Sequence, residues 1–317
     1  MIDKELKQHN IVLNFVEEIK SKREPHTILF VGGDSLFAEK MMNTFAQAIL
    51  CESLCDDCLN CKKLLSGNHP DVMYFPSKNQ LLVEDSNKIS NESFVRPIFA
   101  DKKIFVIKNF DKSTAEAQNK LLKIFEEPMP NVYYLLSTTN IEKVLPTIRS
   151  RCFKINLPVL SKKEIESEII ASCDKELVLE LGKGNLGKTI DLSRKKDLEE
   201  TFAVVKSVFS EMKNSKQVVI FANKILAKKE NFELIIEMFC QILEDLLAKI
   251  CKREELIVLK SQKNFFETIA SEYSIKSVCE IEKLIRKLQE ERFFNVNLPA
   301  IVDNLLLGIL EVKYLCK

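Results

Sequence analysis

The 317-residue chain is 46% hydrophobic and 29% charged, the balance of a soluble globular protein, and it is long enough to divide into two or three domains. With 47 basic against 46 acidic residues the net charge is +1, which excludes a global field that would draw nucleic acid in unaided. Met1–Asn10 is polar, no apolar run reaches the length of a membrane span, and ten cysteines without an export signal point to reduced thiols and a cytoplasmic protein.

In chain order, Asn10 is placed to cap a helix whose apolar positions Ile11, Leu13, Phe15, Val16 and Ile19 share one side, with Glu24–Pro25 closing it. Ile28–Val31 reads as a strand, followed by Gly32–Gly33 and a helical pattern over Phe37–Leu50. Strand, glycine turn and helix is the layout of a phosphate-binding loop. A G-x4-G-K-S/T frame opening at Gly32, however, sets Phe37 at the second glycine, Ala38 at the lysine and Glu39 at the hydroxyl, and Lys40 is displaced by two. Phenylalanine blocks the close backbone approach that glycine permits, and a carboxylate at the magnesium ligand repels phosphate. The expectation is the shape of a nucleotide site without its chemistry.

Cys51, Cys55, Cys58 and Cys61 follow as C-x3-C-x2-C-x2-C. Thiolates at this spacing converge on one tetrahedral ion, so the expectation is a closed, structural zinc site. His69, in the turn Gly67–Asp71, ranks below Cys51 as a fourth ligand, since a histidine in such a turn commonly bonds the backbone.

Val72–Phe75 reads as a strand, the segment to Ala100 is mixed and polar, and Ile104–Ile107 is a buried strand. In an ATP-hydrolysing P-loop protein such a strand ends in acids that hold magnesium; here Lys108 and Asn109 follow, with Asp111 beyond in a loop or turn. Ser113 and Glu116 form a capping-box pattern for a helix carrying Ala117, Leu121 and Phe125, which ends at Glu126–Glu127–Pro128. Acids at a helix C-terminus oppose its dipole, and pattern alone gives no cause for them. The apolar run Val132–Leu136 and polar turn Ser137–Asn140 lead into Leu145–Cys152, L-P-T-I-R-S-R-C, and a last strand over Cys152–Ile155. Arg149 and Arg151 are thereby set at the rim of a sheet, where a guanidinium can grip a phosphate held by another molecule; a merely solvated pair is the plain alternative.

Four of these motifs together resemble the delta-prime subunits of bacterial DNA polymerase III clamp loaders: the cysteine run, G-N-H-P-D (Gly67–Asp71), N-K-L-L-K-I-F-E-E-P (Asn119–Pro128) and L-P-T-I-R-S-R-C. The likeness runs in order through residues 1–192, and Asn297–Leu310 is similar to the family's collar region. ATP-hydrolysing gamma and tau subunits share the central motifs, but the absent loop lysine and absent Asp-Glu pair favour delta-prime. The resemblance implies an AAA+-type fold: an α/β P-loop-like domain with a parallel sheet and zinc-binding insertion (1–158), a small helical lid (159–197) and an all-α collar (198–317). It implies a non-catalytic subunit that binds no ATP. Its Arg151, in the motif Ser150, Arg151, Cys152, would act as a finger on ATP held by a neighbouring gamma or tau subunit, with Arg149 the lesser candidate. Implied partners are gamma, tau and delta, with the sliding clamp and primer-template DNA reached through the complex, and no membrane. The family usually sets its first two zinc cysteines further apart than Cys51 and Cys55, which makes the ion itself the point to test.

Gly182–Thr189, G-K-G-N-L-G-K-T, satisfies the P-loop pattern letter for letter, and Leu177–Leu181 could pass for the strand before it. No later strand ends in an aspartate, and the surroundings from the Ser161/Glu164 capping box onward are helical; in the family this segment belongs to the lid, with Gly187 where ATPase subunits carry a sensor arginine. Two other functions remain open at this level: an active NTPase using Lys188, and a stand-alone zinc-bearing nucleic-acid-binding module. From Leu198 onward helical spacing recurs in Phe202–Phe209, Val218–Ile225, Leu234–Ile250 and Ile281–Leu288, with no glycine from 188 to 307.

Overall fold

The computed structural model describes residues 2–78, 80–169, 174–293 and 297–315. The chain forms two compact units, Met1–Glu168 with Gly184–Lys188, and Ile169–Lys183 with Thr189–Lys317. Residues 170–173 of the expected lid lie outside the described residues.

The first unit is built on a five-stranded sheet of order β2-β3-β4-β1-β5, all neighbours parallel: β1 Thr27–Val31, β2 Val72–Phe75, β3 Lys103–Ile107, β4 Val132–Thr138 and β5 Phe153–Asn156. Parallel strands need crossovers, and these are supplied by α3 (Ser35–Leu50), α4 (Leu59–Leu65), α5 (Val83–Ser93), α6 (Ala115–Glu126) and α7 (Pro146–Arg149), after α1 (Ile2–Lys7) and α2 (Asn10–Lys20). β3 and β4 are buried along their whole length, which is why they read as unbroken apolar runs. Successive residues of β1 serve opposite faces: Phe30 meets Phe45 of α3 edge-on at 4.9 Å, and Phe45 stacks on Phe15 of α2 at 4.2 Å. Leu29 instead joins Phe105, Leu121, Phe125 and Tyr134 in the core between sheet and α6.

Several local expectations shift by a residue or more. His9, not Asn10, caps α2, its Nδ1 accepting from the Ile11 amide, and the helix stops at Lys20 before reaching Glu24. Thr114, not Ser113, caps α6 by accepting from the Ala117 amide at 3.1 Å, while the Ser113 hydroxyl turns back to the Phe110 carbonyl. β4 takes in Ser137 and Thr138, and β5 begins one residue late as an edge strand. The Ser161/Glu164 capping box does open α8 (Lys162–Glu166).

The second unit is helical: α9 (Lys175–Gly182), α10 (Leu186–Ser193, which begins in the first unit), α11 (Leu198–Glu211), α12 (Ser215–Leu226), α13 (Phe232–Ile250), α14 (Lys263–Ile269), α15 (Ile275–Phe293) and α16 (Leu298–Leu315). Each predicted apolar run falls inside one of these helices. Their core gathers Phe202, Phe209, Phe239, Ile242, Phe266 and Ile309, and Lys313 is buried with its Nζ bonded to the Phe209 carbonyl at 3.0 Å and Glu272 at 2.7 Å. An α/β unit on a parallel sheet followed by helices is the expected fold class. Among the described residues no helix is long and apolar enough to cross a membrane.

Candidate functional site

The C-terminal ends of parallel strands are where α/β folds bind ligands, and here three are already filled by the chain's own side chains. After β1, Asp34 caps α3. Its Oδ1 accepts from the Leu36 and Phe37 amides at 3.0 Å each, and its Oδ2 accepts from the Leu186 amide. Those helix-start amides are the donors that would cradle a phosphate, and a buried carboxylate occupies them. Asn185 Nδ2 closes over the loop by donating to the Gly33 carbonyl at 3.0 Å. A Cβ on Gly187 would lie 3.4 Å from Leu36 Cβ and 3.5 Å from Asp34 Oδ1, so the position where a sensor arginine is expected faces the same filled helix start.

Glu39 and Lys108, at the two positions where magnesium would be held, form an ion pair with each other. Lys108 also lies over the Tyr74 ring at 5.7 Å. Asn109 takes a left-handed φ of 49° and donates its amide to Ser137 Oγ at 3.1 Å. Asp111 is buried, not a free loop acid, and accepts from the amide and hydroxyl of Thr139 at 3.1 Å each. The ends of β3 and β4 are thus tied to one another.

The arginine segment follows directly. Gln118 of α6 is buried and bridges it, with Oε1 accepting from the Leu145 amide at 2.9 Å and Nε2 donating to the Lys143 carbonyl at 3.0 Å. Pro146 begins α7 at a position where a missing N–H costs nothing, and Val144 and Ile148 pin the turn into the α6 core. Arg151 is exposed at the rim. Its Nη2 donates to Glu126 Oε1 at 2.9 Å and its Nη1 to the Thr147 carbonyl at 2.9 Å. Arg149 is more covered and bonds Glu142 at 3.1 Å. Ser150 Oγ donates to the Thr147 carbonyl at 3.1 Å. Cys152 packs against the core, and burial pushes its thiol up to about 12, so it serves as a small apolar residue.

The four cysteines converge. The ligand atoms of Cys51, Cys55, Cys58 and Cys61 all lie within 4.8 Å of one another. Cys51 Sγ and Cys55 Sγ are 3.7 Å apart, close to the about 3.8 Å edge of a tetrahedron built on Zn–S bonds of about 2.3 Å. The Cys58 amide donates to Cys55 Sγ and the Cys61 amide to Cys58 Sγ, each at 3.4 Å, so amides are already aimed at sulfurs that carry negative charge when a cation binds. Burial acts to raise Cys51, but hydrogen bonds led by the Cys55 amide and Ser53 hydroxyl hold it down at about 6. Burial pushes Cys61 up to about 12 against the Gln47 hydrogen bond, and a cation there would displace its proton. This donor set could hold a metal ion, and the short Cys51–Cys55 loop reaches the cluster with Leu54 at φ 48°, Asp56 just beyond it taking φ 61°. His69 is not in it: its Nδ1 accepts from the Asp71 amide at 3.2 Å and its Nε2 meets Asn60 Oδ1 at 3.4 Å. Burial lowers its pKa, in keeping with a neutral ring.

Gly182–Thr189 has none of the strand–loop–helix context of a phosphate loop. The segment Leu177–Leu181 is helical, α9 runs to Gly182, Lys183 caps it, and α10 starts at Leu186. A Cβ on Gly182 would fall 2.0 Å from Thr189 Oγ1, and Gly184 has φ +78° with Val159 Cγ1 2.4 Å from its would-be Cβ. These glycines serve a tight helix-to-helix turn.

Comparison with known proteins bears on this arrangement directly. Residues 7–161 match the family described as DNA polymerase III, delta subunit. Two delta-prime subunits of DNA polymerase III match almost end to end: that of Bacillus subtilis (strain 168) is 24% identical over 96% of each chain, and that of Buchnera aphidicola subsp. Schizaphis graminum is 27% identical over 93% of each. The chain is similar to DNA polymerase III delta-prime subunits along almost its whole length. Gamma and tau subunits are also among its relatives. The crystal structure of a gamma subunit-related protein from Thermotoga maritima shares the fold, with a TM-score of 0.50 at 17% identity over 94% of this chain and 99% of that one.

The sequence pattern points to the arginines, the cysteines and the altered nucleotide loop, but not to the roles of four residues that shape them. Asp34 was signalled by its place between Gly33 and a helix, where an N-cap is expected. Asp71, last in G-N-H-P-D, accepts from the amides of Ile98 at 2.6 Å, Phe99 at 2.8 Å and Ala100 at 2.7 Å. Gln118 and Glu126 act on partners more than twenty residues away; Gln118 carries no local signal, and the sign at Glu126 is an acid where the helix dipole disfavours one.

Proposed function

We propose that this chain is the non-ATPase delta-prime subunit of a cytoplasmic DNA polymerase III clamp loader, assembled with gamma or tau and with delta. In that complex it helps place the sliding clamp on primer-template DNA. The observation that carries the reading is the cis-occupied nucleotide loop, with Asp34 on the helix-start amides and Glu39 paired to Lys108. The helix-start amides and the Glu39 and Lys108 positions, which would hold a triphosphate and its magnesium, are engaged by the chain's own side chains, and this supports the reading. Arg151 then works in trans. A guanidinium fixed at the rim stabilises charge spreading over the transferred phosphoryl group on the neighbouring gamma or tau subunit, a contribution of ~10³–10⁵ in rate in well-studied NTPases. Its exposure and its footing on α7 support this role. Cys51, Cys55, Cys58 and Cys61 hold a structural zinc ion, whose chemistry is to cross-link the insertion. We assign residues 1–158 to the AAA+-like domain, 159–197 to the lid and 198–317 to the collar through which the ring assembles.

The test is a reconstituted complex. Arg151→Ala is expected to leave assembly intact and to lower DNA-stimulated ATPase and clamp loading, while Arg149→Ala has the smaller effect. Unchanged rates with Arg151→Ala refute the finger. Calorimetry on the isolated chain is expected to give no heat with ATP, and micromolar binding abolished by Lys188→Ala would restore an NTPase at Gly182–Thr189.

A further inference from the structure

Behind the cysteine cluster runs a line of polar groups that four thiolates alone do not require. Gln47, on α3, is buried. Its Nε2 donates to Cys61 Sγ at 3.2 Å and to Asp56 Oδ1 at 2.7 Å. The amide nitrogen has two protons, and the Asp56 carboxylate fixes the direction in which the second meets the sulfur. The same Asp56 oxygen accepts from Lys7 Nζ, which also reaches the Leu54 carbonyl at 3.4 Å. Lys7 is the last residue of α1. Leu54 and Asp56 are the two left-handed residues of the loop between Cys51 and Cys58, a conformation that is costly for a side-chain-bearing residue and persists only where the surroundings hold it.

Cys61 is 1% exposed, so water cannot solvate its sulfur. Four thiolates around one divalent cation leave negative charge in excess, and at Cys61 the Gln47 N–H is a side-chain donor that answers it. We propose that Gln47 is a positioning residue for the metal centre, and that Lys7, acting through Asp56, couples docking of α1 to metal binding. The proposal rests on the reading of the four cysteines as a zinc site. Outer-shell donors of this kind are worth about 10–100-fold in metal affinity. Coupling between two equilibria is reciprocal: if α1 favours the closed loop, the metal favours docked α1 by the same factor.

The experiment uses the full chain, zinc competition against a chelator, cobalt(II) as a spectroscopic probe of the thiolates, and hydrogen exchange in residues 2–7. Gln47→Leu is expected to weaken zinc about 10–100-fold and to shift the sulfur-to-cobalt charge-transfer band. Gln47→Asn, whose amide falls one methylene short, is expected to do the same and stands in should Gln47→Leu fail to fold. Lys7→Met is expected to weaken zinc less and to speed exchange in residues 2–7, as does stripping zinc from the wild type. Unchanged affinity and spectrum in both Gln47 variants overturn the assignment of Gln47. Exchange in residues 2–7 that ignores zinc overturns the coupling. A wild-type chain that takes up no zinc overturns the metal site itself, an outcome recognisable because it precedes any variant.

Discussion

Arg151 and Glu126, twenty-five residues apart in sequence, are joined by a hydrogen bond of 2.9 Å between Nη2 and Oε1. The contact accounts for acids at the C-terminus of α6, where the helix dipole disfavours them: Glu126 holds the guanidinium at the rim. With the two side chains 33% and 55% exposed, the pair is worth only ~0–1 kcal/mol, weak enough to yield to the phosphate that the proposed finger would meet on a neighbouring subunit. Glu126→Gln is therefore expected to change the urea-unfolding free energy by less than about 1 kcal/mol. In the assembled complex its ATPase should stay at or above the wild-type rate. An ATPase as low as that of Arg151→Ala would mean that the carboxylate is needed at the moment of reaction, contrary to this account.

Asp71 gives a pH-dependent term. Burial acts to raise its pKa, but the three amides of Ala100, Ile98 and Phe99, with His69 nearby, hold it below the ordinary carboxylate range. A depressed folded pKa contributes stability that is present above the unfolded value of about 3.9 and is lost as pH falls through the folded value. Asp71→Asn, which brings an NH2 donor against amide donors, is expected to cost roughly 3 kcal/mol at neutral pH and to flatten the acid limb of the stability curve. Thermal unfolding from pH 7 down to pH 2 measures both, and parallel acid limbs in the two proteins would count against it.

Gln118→Leu strands the Leu145 amide and the Lys143 carbonyl. With each unpaired group worth about 1–3 kcal/mol, a loss of roughly 2–4 kcal/mol is expected, together with faster amide exchange over residues 143–151 than in the sheet. Uniform acceleration throughout the first unit would instead mean a general loss of stability.

Gly184 separates architecture from motif. Gly184→Ala forces a Cβ into Val159 and the Leu160 carbonyl at a φ of +78°, so a destabilisation of roughly 2 kcal/mol is expected, read as a lower thermal midpoint. ATP is expected to raise that midpoint in neither the variant nor the wild type. Stabilisation of the wild type by ATP would point back to a phosphate loop.

How much was legible follows from what each feature depends on. β1, β3 and β4 were readable because strands buried on both faces carry apolar runs at their centres, with polar residues such as Lys103, Ser137 and Thr138 only at their ends, whereas edge strand β5, with only Ile155 buried, gave a weaker boundary. The cysteine cluster was readable because its four sulfurs come from one short stretch, Cys51 to Cys61. Ser113 and Thr114 are neighbouring hydroxyls with equal claims to cap α6, and the choice falls to the turn at Phe110, which engages Ser113. The Glu39–Lys108 pair joins residues 69 apart; each substitution was visible alone, but their mutual satisfaction depends on α3 passing the end of β3.

That pair and Asp34 are linked by what each leaves behind when another is changed. A small hydroxyl residue at position 39 would leave Lys108 without its ion-pair partner, an acid at position 108 would set two carboxylates together, and either change leaves Asp34 seated on the α3 amides. A phosphate-holding start to α3 would therefore require residues 34, 39 and 108 to change together, because Asp34 keeps its contacts whatever happens at the pair and neither member of the pair changes without leaving the other unmatched.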